Sequence, residues 1–157
     1  MAPVLTSTRE VLVFEVGGQR YGLPIDDVRE LVRAVAITPL PDAPAVIEGV
    51  VNVRGRVLPV LDVRARFRLP PKPLDPSDHF IVASAGPRGV ILRVDRATHL
   101  AFVDDSSLQQ PETLGPNTAY VAGVARLEDG LVLIHDLATF LSAAEATSLD
   151  DALPAPA

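Results

Sequence analysis

Apolar residues along this chain fall into short runs of Val, Ile and Leu, broken by Gly, Pro and Asp, and not into helical stripes of eleven or more positions. Runs of this kind are typical of β-strands. The first two runs, 11–16 and 20–25, flank Gly17, Gly18 and Gln19, and glycine supplies the positive φ that a tight turn needs. The pattern therefore predicts a mainly β protein that opens with a β-hairpin.

A second hairpin is predicted further along the chain. Residues 50–53 and 57–61 are apolar except for Asn52, and Arg54, Gly55 and Arg56 lie between them as the turn. The stretch 62–67, directly after this hairpin, is compatible with a short helix.

The segment between the two hairpins has a mixed pattern. After Pro24, four apolar residues recur at helical spacing, and Asp26 and Asp27 can accept hydrogen bonds from the first free backbone amides, which predicts a short helix. These apolar residues are Ile25, Val28, Leu31 and Val32. Prolines at 39, 41 and 44 then exclude a central strand or helix and predict an extended crossing segment.

Two proline-bearing segments mark boundaries. Residues 70–76 contain four prolines in seven positions, which favours a stiff surface connection over regular structure, so 70–77 is predicted to be a linker. The end of the chain, 148–157, is small, acidic and proline-bearing, and is predicted to be a flexible tail.

The order of elements repeats across this linker. A shift of 69 residues aligns the first hairpin with the region around residue 80, and a shift of 74 aligns the second hairpin with the region around residue 124. A strand, Gly turn, strand and Asp recur in the same order in both halves. We expect two related β-barrels, 10–69 and 78–142, because closing a short sheet removes exposed edges. A barrel of this size is only marginally stable alone, so we expect the two to pack together with a groove at their seam.

Composition narrows the classes of function. The chain has 157 residues, a net charge of −6 and one lysine, and its second half has five cations against twelve acids. Such a chain is a poor candidate for nucleic-acid binding. No cysteine is present, which excludes disulfides and thiolate sites. With no apolar run of about 18 residues and no leader-like start, we expect a cytoplasmic protein that does not insert into a membrane.

Catalytic and cofactor signals are weak. The sequence has no nucleophile elbow, no Ser-x-x-Lys and no phosphate-binding glycine motif, so no catalytic residue, cofactor or metal is predicted. The three histidines fall in separate predicted strands. Their predicted role is either structural or pH sensing. A small β-barrel enzyme using Asp62, Asp136 or His135 stays open as an alternative.

The arginines of the second hairpin region are unusual, because only Asp62 is present among them to balance their charge. They are Arg54, Arg56, Arg64, Arg66 and Arg68. They form either a solvated surface or a protein-docking edge, since guanidinium groups are enriched in binding hot spots.

Residues 49–64 read Gly-Val-Val-Asn-Val-Arg-Gly-Arg-Val-Leu-Pro-Val-Leu-Asp-Val-Arg. This segment resembles the signature of the CheW-like chemotaxis coupling proteins: Gly-Val-x-Asn, a hydrophobic residue and Arg-Gly, followed by a hydrophobic run with Pro and Asp. Residues 12–23, 28–31, 94–95 and 119–123 resemble the same family in order and spacing. The similarity covers about 10–142, and the implied CheW-like domain spans 10–147.

The resemblance implies two packed SH3-like five-stranded β-barrels with short helices. It also implies a noncatalytic adaptor that couples the cytoplasmic tips of methyl-accepting chemoreceptors to the regulatory domain of a CheA-type histidine kinase. In this family the first barrel supplies the main kinase contact and the receptor tip lies in the groove between barrels. By position, the implied partner-binding residues are Val28, Glu30, Leu31, Gly49, Arg54, Arg56, Ala97 and Leu100.

Two details of this expectation stay open. The family pattern motivates an ion pair between Arg54 and Glu30, which we state as a hypothesis. A coupling module of a non-flagellar pathway, serving pili, gliding or gene expression, is an alternative to flagellar control.

Overall fold

The computed structural model describes residues 8–104, 106, 108–109, 120–128 and 130–153. The strands are β1 (Thr8–Val16), β2 (Gln19–Pro24), β3 (Val28–Arg33), β4 (Ile47–Val53), β5 (Arg56–Leu61), β6 (His79–Ala85), β7 (Arg88–Val94), β8 (Arg96–Asp104), β9 (Leu108–Gln109), β10 (Val121–Leu127) and β11 (Gly130–His135). Helix α1 (Val63–Arg66) follows β5, and helix α2 (Ala143–Ala152) comes last. Short 3₁₀ helices span Ile25–Asp27 and Leu137–Thr139. The prediction of a mainly β fold is confirmed.

Both predicted hairpins are present. Strands β1 and β2 pair antiparallel up to Val16 and Gln19, and the turn between them places Gly17 and Gly18 at positive φ. Strands β4 and β5 pair in the same way and turn through Arg54 at φ 52° and Gly55 at φ 85°. The turn residues in the sequence therefore located these hairpins correctly.

The assignment of each barrel to one half of the chain is wrong. One sheet has the order β8-β1-β2-β11-β10-β9, and the other has the order β3-β6-β7-β5-β4. The first hairpin of each half thus pairs with strands of the other half, and the predicted barrels 10–69 and 78–142 exchange hairpins. Parallel pairs, β2 with β11 and β5 with β7, join the halves. Parallel neighbouring strands need a long connection between them. Because each parallel pair joins strands from different halves, many residues separate its two strands.

Burial on both faces of the strands explains the continuous apolar runs. We call the barrel of the six-stranded sheet the first barrel and that of the five-stranded sheet the second barrel. In β1, Val11 and Val13 point into the interior of the first barrel, whereas Leu12 and Phe14 point toward the second barrel. The second barrel has its own interior cluster around Phe80. Between the barrels lies a third buried cluster built from both sheets. The seam is therefore filled with side chains, and the predicted groove does not run through it.

The segment after Pro24 is a strand and not the predicted helix. A single 3₁₀ turn spans Ile25–Asp27, and β3 then pairs antiparallel with β6. Exposure alternates along β3, with Leu31 exposed and Val32 half-buried. Because β-branched valines at 28 and 32 fit a pleated sheet well, pairing with β6 overrides the helical spacing.

The second barrel closes where the chain after β3 returns to β4. Thr38 forms an isolated bridge with Val50, through amide hydrogen bonds of 3.0 and 2.8 Å. Gly49 lies beside this closure at φ 155°, and a Cβ there would lie 2.2 Å from the Thr38 carbonyl oxygen. Gly49 is therefore required by the close approach of two backbones.

The linker has no regular structure, as predicted, but it is tied to the second barrel. Arg93 forms ion pairs with Glu48 and with Asp78, the latter at 3.3 Å, and donates to the Lys72 carbonyl. Burial is the main cause that raises the pKa of Glu48. The connection 70–77 is therefore anchored at its middle and at its end.

The predicted flexible tail is in part helical, which corrects the boundary at 148. Ser142 caps α2 by accepting from the Glu145 amide at 3.1 Å, and the Glu145 carboxylate accepts from the Ser142 amide at 2.8 Å. Leu149 is fully buried in the cluster between the barrels. This capping box and the buried leucine hold the helix through Ala152, whereas residues 154–157 of the predicted tail lie outside the described residues.

Candidate functional site

The apolar layer between the barrels reaches the surface at two edge strands. β3 and β8 each stand at one end of their sheet. Leu31 pairs with Ile81, and Leu100 pairs with Leu12; both partners belong to the buried seam cluster. Because cross-strand partners share a face of the sheet, both leucines face the seam. Their exposed fractions are 46% and 51%.

Val28 and Ala97 complete this surface, which we call the seam margin. Both are half-buried and pack against the seam cluster. The two edge strands are linked nearby, because the Ala97 amide donates to His79 Nδ1 at 2.9 Å, and His79 pairs with Arg33 of β3. Four predicted partner-binding residues therefore lie on one apolar surface, although the seam behind it is filled.

Phe102 belongs to the same surface and was missed by the sequence reasoning. It lies two residues after Leu100 on β8, on the same face, and is 71% exposed. An exposed aromatic on an edge strand is a signature of a contact surface. The alternation of Leu100 and Phe102 along β8 was the available signal.

A second surface, which we call the basic cleft, lies at one end of the second barrel. A β-bulge between Val28 and Glu30 inserts Arg29 into β3, and both Arg29 and Glu30 line the cleft. Arg54 reaches in from the β4–β5 turn, and its guanidinium donates to Glu30 Oε1 at 2.6 Å. The Arg54–Glu30 ion pair is thus confirmed.

The cleft encloses about 430 Å³. Arg56 also lines the cleft, where its guanidinium would be 3.1 Å from a Cβ at position 89, so Gly89 leaves it room. Ser84 accepts from Arg29 Nε at 2.8 Å. The remaining lining residues are Val53, Leu58, Val82, Ala83, Gly86 and Pro87.

The structure divides the predicted partner-binding residues between these two surfaces. Leu31 faces the seam margin, whereas its neighbour Glu30 lines the cleft, because successive residues of a strand point to opposite sides. Gly49 joins neither surface: it is buried under Thr38. This burial does not fit its predicted place among the contact residues. Its role in the structure is to let the barrel close.

Two of the five clustered arginines are structural and form no docking edge. Arg64 makes a bidentate pair with Asp95 at 2.8 Å, and Asp95 also accepts from the Gly17 amide at 2.9 Å. Burial opposes ionisation of Asp95, but the hydrogen bonds from Arg64 and Gly17 lower its pKa. Arg66 pairs with Glu145 and lies 4.6 Å from the centre of the Tyr120 ring.

The residues of the enzymatic alternative have structural roles. The Asp62 side chain accepts from the Ala65 amide and caps α1, and the Asp136 side chain accepts from the Ala138 amide and caps the following 3₁₀ turn. His135 is fully buried among the rings of Phe14, Tyr21 and Phe67.

Burial also determines the ionisation of His135. Neither ring nitrogen has a hydrogen-bond partner in the described part of the chain. Burial lowers the pKa of His135 from 6.5 to about 3. The ring is therefore neutral near pH 7, and no described side chain is placed to exchange a proton with it.

Across the residues that the structure covers, no group of three or more His, Asp and Glu side chains is placed to hold a metal ion. No helix in this part of the chain has the length and apolar character needed to cross a membrane.

Comparison with known proteins agrees with this geometry. The model of the CheW-like domain family matches residues 10–145. Chemotaxis protein CheW of Rhizobium meliloti is 33% identical over 133 residues, which cover 82% of this chain and 84% of its own. Chemotaxis protein CheW of Treponema pallidum is 26% identical over 146 residues, covering 89% and 86%. The crystal structure of the scaffolding protein TtCheW from Thermoanaerobacter tengcongensis has a TM-score of 0.81 at 29% identity, covering 88% of this chain and 96% of that one.

Two packed β-barrels that leave one apolar and one basic surface open define a protein-binding scaffold. The chain belongs to the CheW-like domain family. Its role is that of an adaptor in chemotaxis signalling.

Proposed function

We propose that this protein couples the cytoplasmic tips of methyl-accepting chemoreceptors to the regulatory domain of a CheA-type histidine kinase. It acts by holding both partners in one complex and catalyses no reaction. It works in the cytoplasm, at membrane-associated receptor arrays, without entering the membrane or binding nucleic acid.

The seam margin is the observation that carries this proposal. Receptor tips are helical hairpins, and an amphipathic helix binds by laying its apolar face against an apolar surface. Leu31, Leu100 and Phe102 expose apolar side chains on two edge strands, and Val28 and Ala97 form the floor between them and the core. The receptor tip docks along this margin.

The kinase contact uses the barrel of the five-stranded sheet, which contains the second hairpin of residues 10–69. Glu30 and Arg54 form its exposed ion pair, in which the Arg54 side chain is 79% exposed. Arg56 lines the same cleft. Arginine at an interface makes directional contacts that few other side chains match.

The structural roles of the candidate catalytic residues support an adaptor without catalysis. Asp62 and Asp136 already accept backbone amides, and His135 is fully buried. An enzyme using Asp62 would lose turnover in Asp62→Asn with its fold intact.

The test is a binding assay with a purified receptor cytoplasmic fragment and kinase from the same genome. We expect the wild type to form a complex with each of them. Leu100→Asp should weaken receptor binding by about thirtyfold, equivalent to about 2 kcal/mol, because it places a charge in an apolar contact. Arg54→Asp should weaken kinase binding, because it places two carboxylates at the position of the present ion pair.

Leu131→Asp is the matched control for the receptor arm, since Leu131 is 55% exposed but lies on β11, away from the edge strands. Equal loss of receptor binding in Leu100→Asp and Leu131→Asp would contradict docking at the seam margin. Absence of both wild-type complexes would refute the coupling role.

A further inference from the structure

The basic cleft contains more arginines than its ion pairs account for. Arg29, Arg54 and Arg56 line it with Glu30, which is paired with Arg54 at 2.6 Å. Neither Arg29 nor Arg56 forms a direct ion pair with a carboxylate among the described residues, although Arg29 also acts electrostatically on Asp27. Three cations and one anion leave a local charge of +2 on a chain whose net charge is −6.

Backbone features hold these charges in place. The β-bulge in β3 places Arg29 and Glu30, which are neighbours in sequence, along the same cleft. The positive φ of Arg54 and Gly55 forms the tight turn that brings the Arg54 side chain over Glu30. Gly89 leaves the space that the Arg56 guanidinium occupies. The cleft is therefore formed before any ligand arrives.

The floor of the cleft is apolar. Val53, Leu58 and Val82 line it together with the arginines. A free inorganic anion makes no use of such a floor, whereas a peptide covers it with side-chain stems while its carboxylates meet the guanidinium groups. Arginine binds carboxylates through two parallel N–H bonds, which gives strength and direction.

We propose that the basic cleft binds an acidic segment of a partner protein, with carboxylates that pair with Arg29 and Arg56. This inference deepens the proposed function. It rests on that function in one respect, namely that the ligand of the cleft is a protein. Repulsion from the acidic remainder of the chain is screened beyond about 8 Å at physiological salt, whereas the contacts inside the cleft are much shorter.

The experiment is an NMR titration of the full ¹⁵N-labelled chain with a synthetic heptapeptide, Gly-Glu-Leu-Glu-Glu-Leu-Gly, blocked at both ends. We expect it to shift the amide signals of Gly86 and Gly89 and the Nε–H signal of Arg56. The same peptide with Gln in place of Glu should shift none of them. Binding should weaken as salt is raised from 50 to 300 mM.

Arg29→Gln combined with Arg56→Gln should weaken binding at least tenfold, and an unchanged dispersion of amide signals would show that this variant is folded. Arg126→Gln, a neutralised exposed arginine on β10, should bind as the wild type does. The proposal is overturned if the Gln peptide binds equally, if the double variant retains affinity, or if inorganic phosphate shifts these signals and the peptide does not.

Complexes with the receptor fragment and the kinase are measured on the same preparations. Loss of peptide binding with intact wild-type complexes refutes the acidic-segment proposal alone. Peptide binding at the cleft without either complex supports the cleft and refutes the coupling role.

Discussion

His135 makes the folded protein sensitive to acid. The unfolded chain binds a proton at this ring below about pH 6.5, whereas the folded chain does so only near pH 3. Because the unfolded state binds more protons in this window, the free energy of unfolding falls as the pH is lowered from about 6.5 towards 3. Above pH 6.5 both states have a neutral ring, and the residue adds no pH dependence.

We expect His135→Leu to remove this dependence, which for one group is at most about 1.4 kcal/mol per pH unit. Urea unfolding at pH 7.0, 6.0 and 5.0 measures it. His99→Gln is the control, since His99 is exposed. If His135→Leu and the wild type lose stability in parallel between pH 6.0 and 5.0, other groups cause the loss.

Gly49 provides a second prediction at the residue scale. Gly49→Ala should lower the free energy of unfolding by at least about 3 kcal/mol, because the new Cβ meets a carbonyl oxygen and the backbone is held at φ 155°. Gly18→Ala, at φ 79° with no atom within 4 Å of the new Cβ, should cost only about 1 kcal/mol. Chemical denaturation compares them; equal losses would show that backbone closure at Thr38 is unimportant.

At the element scale, α1 acts as a clamp. This four-residue helix presents Arg64 to Asp95 and Arg66 to Glu145 and Tyr120. The two contacts tie it to the end of β7 and to the start of α2. A helix this short has little stability of its own, so side-chain contacts hold it in place.

Arg66→Met tests this clamp. The variant keeps the apolar stem but loses the hydrogen bonds to Glu145 and Tyr120, and should lower the free energy of unfolding by about 2 kcal/mol. Arg126→Met, at an exposed position on β10, should change it by less than about 0.5 kcal/mol. Thermal and urea unfolding measure the change in stability; an unchanged midpoint for Arg66→Met would mean that the contacts of Arg66 add nothing to it.

Local elements were readable from the sequence because their causes are local. Gly17 and Gly18 marked the first turn, and Asp62 marked the start of α1. The helix predicted after Pro24 is wrong for the segment 28–33, because valine and leucine at these positions fit a helical period and a strand equally well. Only its pairing with β6, some fifty residues away, decides between them.

The candidate site shows the same limit. Glu30 and Arg54 could be paired from the family pattern, but their separation from Leu31 could not, since it follows from strand alternation in β3. The contribution of Arg29 to the cleft depends on the β-bulge in β3. No glycine or other turn residue in the sequence predicts that bulge. The sequence thus named residues that lie on both surfaces, apart from Arg29 and Phe102, but it did not divide them between the two.

At the scale of the whole molecule, neither half can complete a barrel. Each sheet contains strands from both sides of the linker. We expect fragments 1–73 and 74–157 to be unfolded when separate and to form the native fold when mixed. Circular dichroism and amide NMR spectra of each fragment and of the mixture measure this; a cooperative unfolding transition in either fragment alone would contradict it.

Hairpin exchange also bears on the descent of this fold. An ancestral chain of half the present length, with the same strand pattern, would have had to exchange hairpins with a second identical copy, as a two-fold symmetric dimer. Joining two such copies through a segment such as 70–77 would make that pairing intramolecular, at a high effective concentration. Once joined, the two copies would be free to diverge, so that two formerly equivalent surfaces would be free to bind different partners.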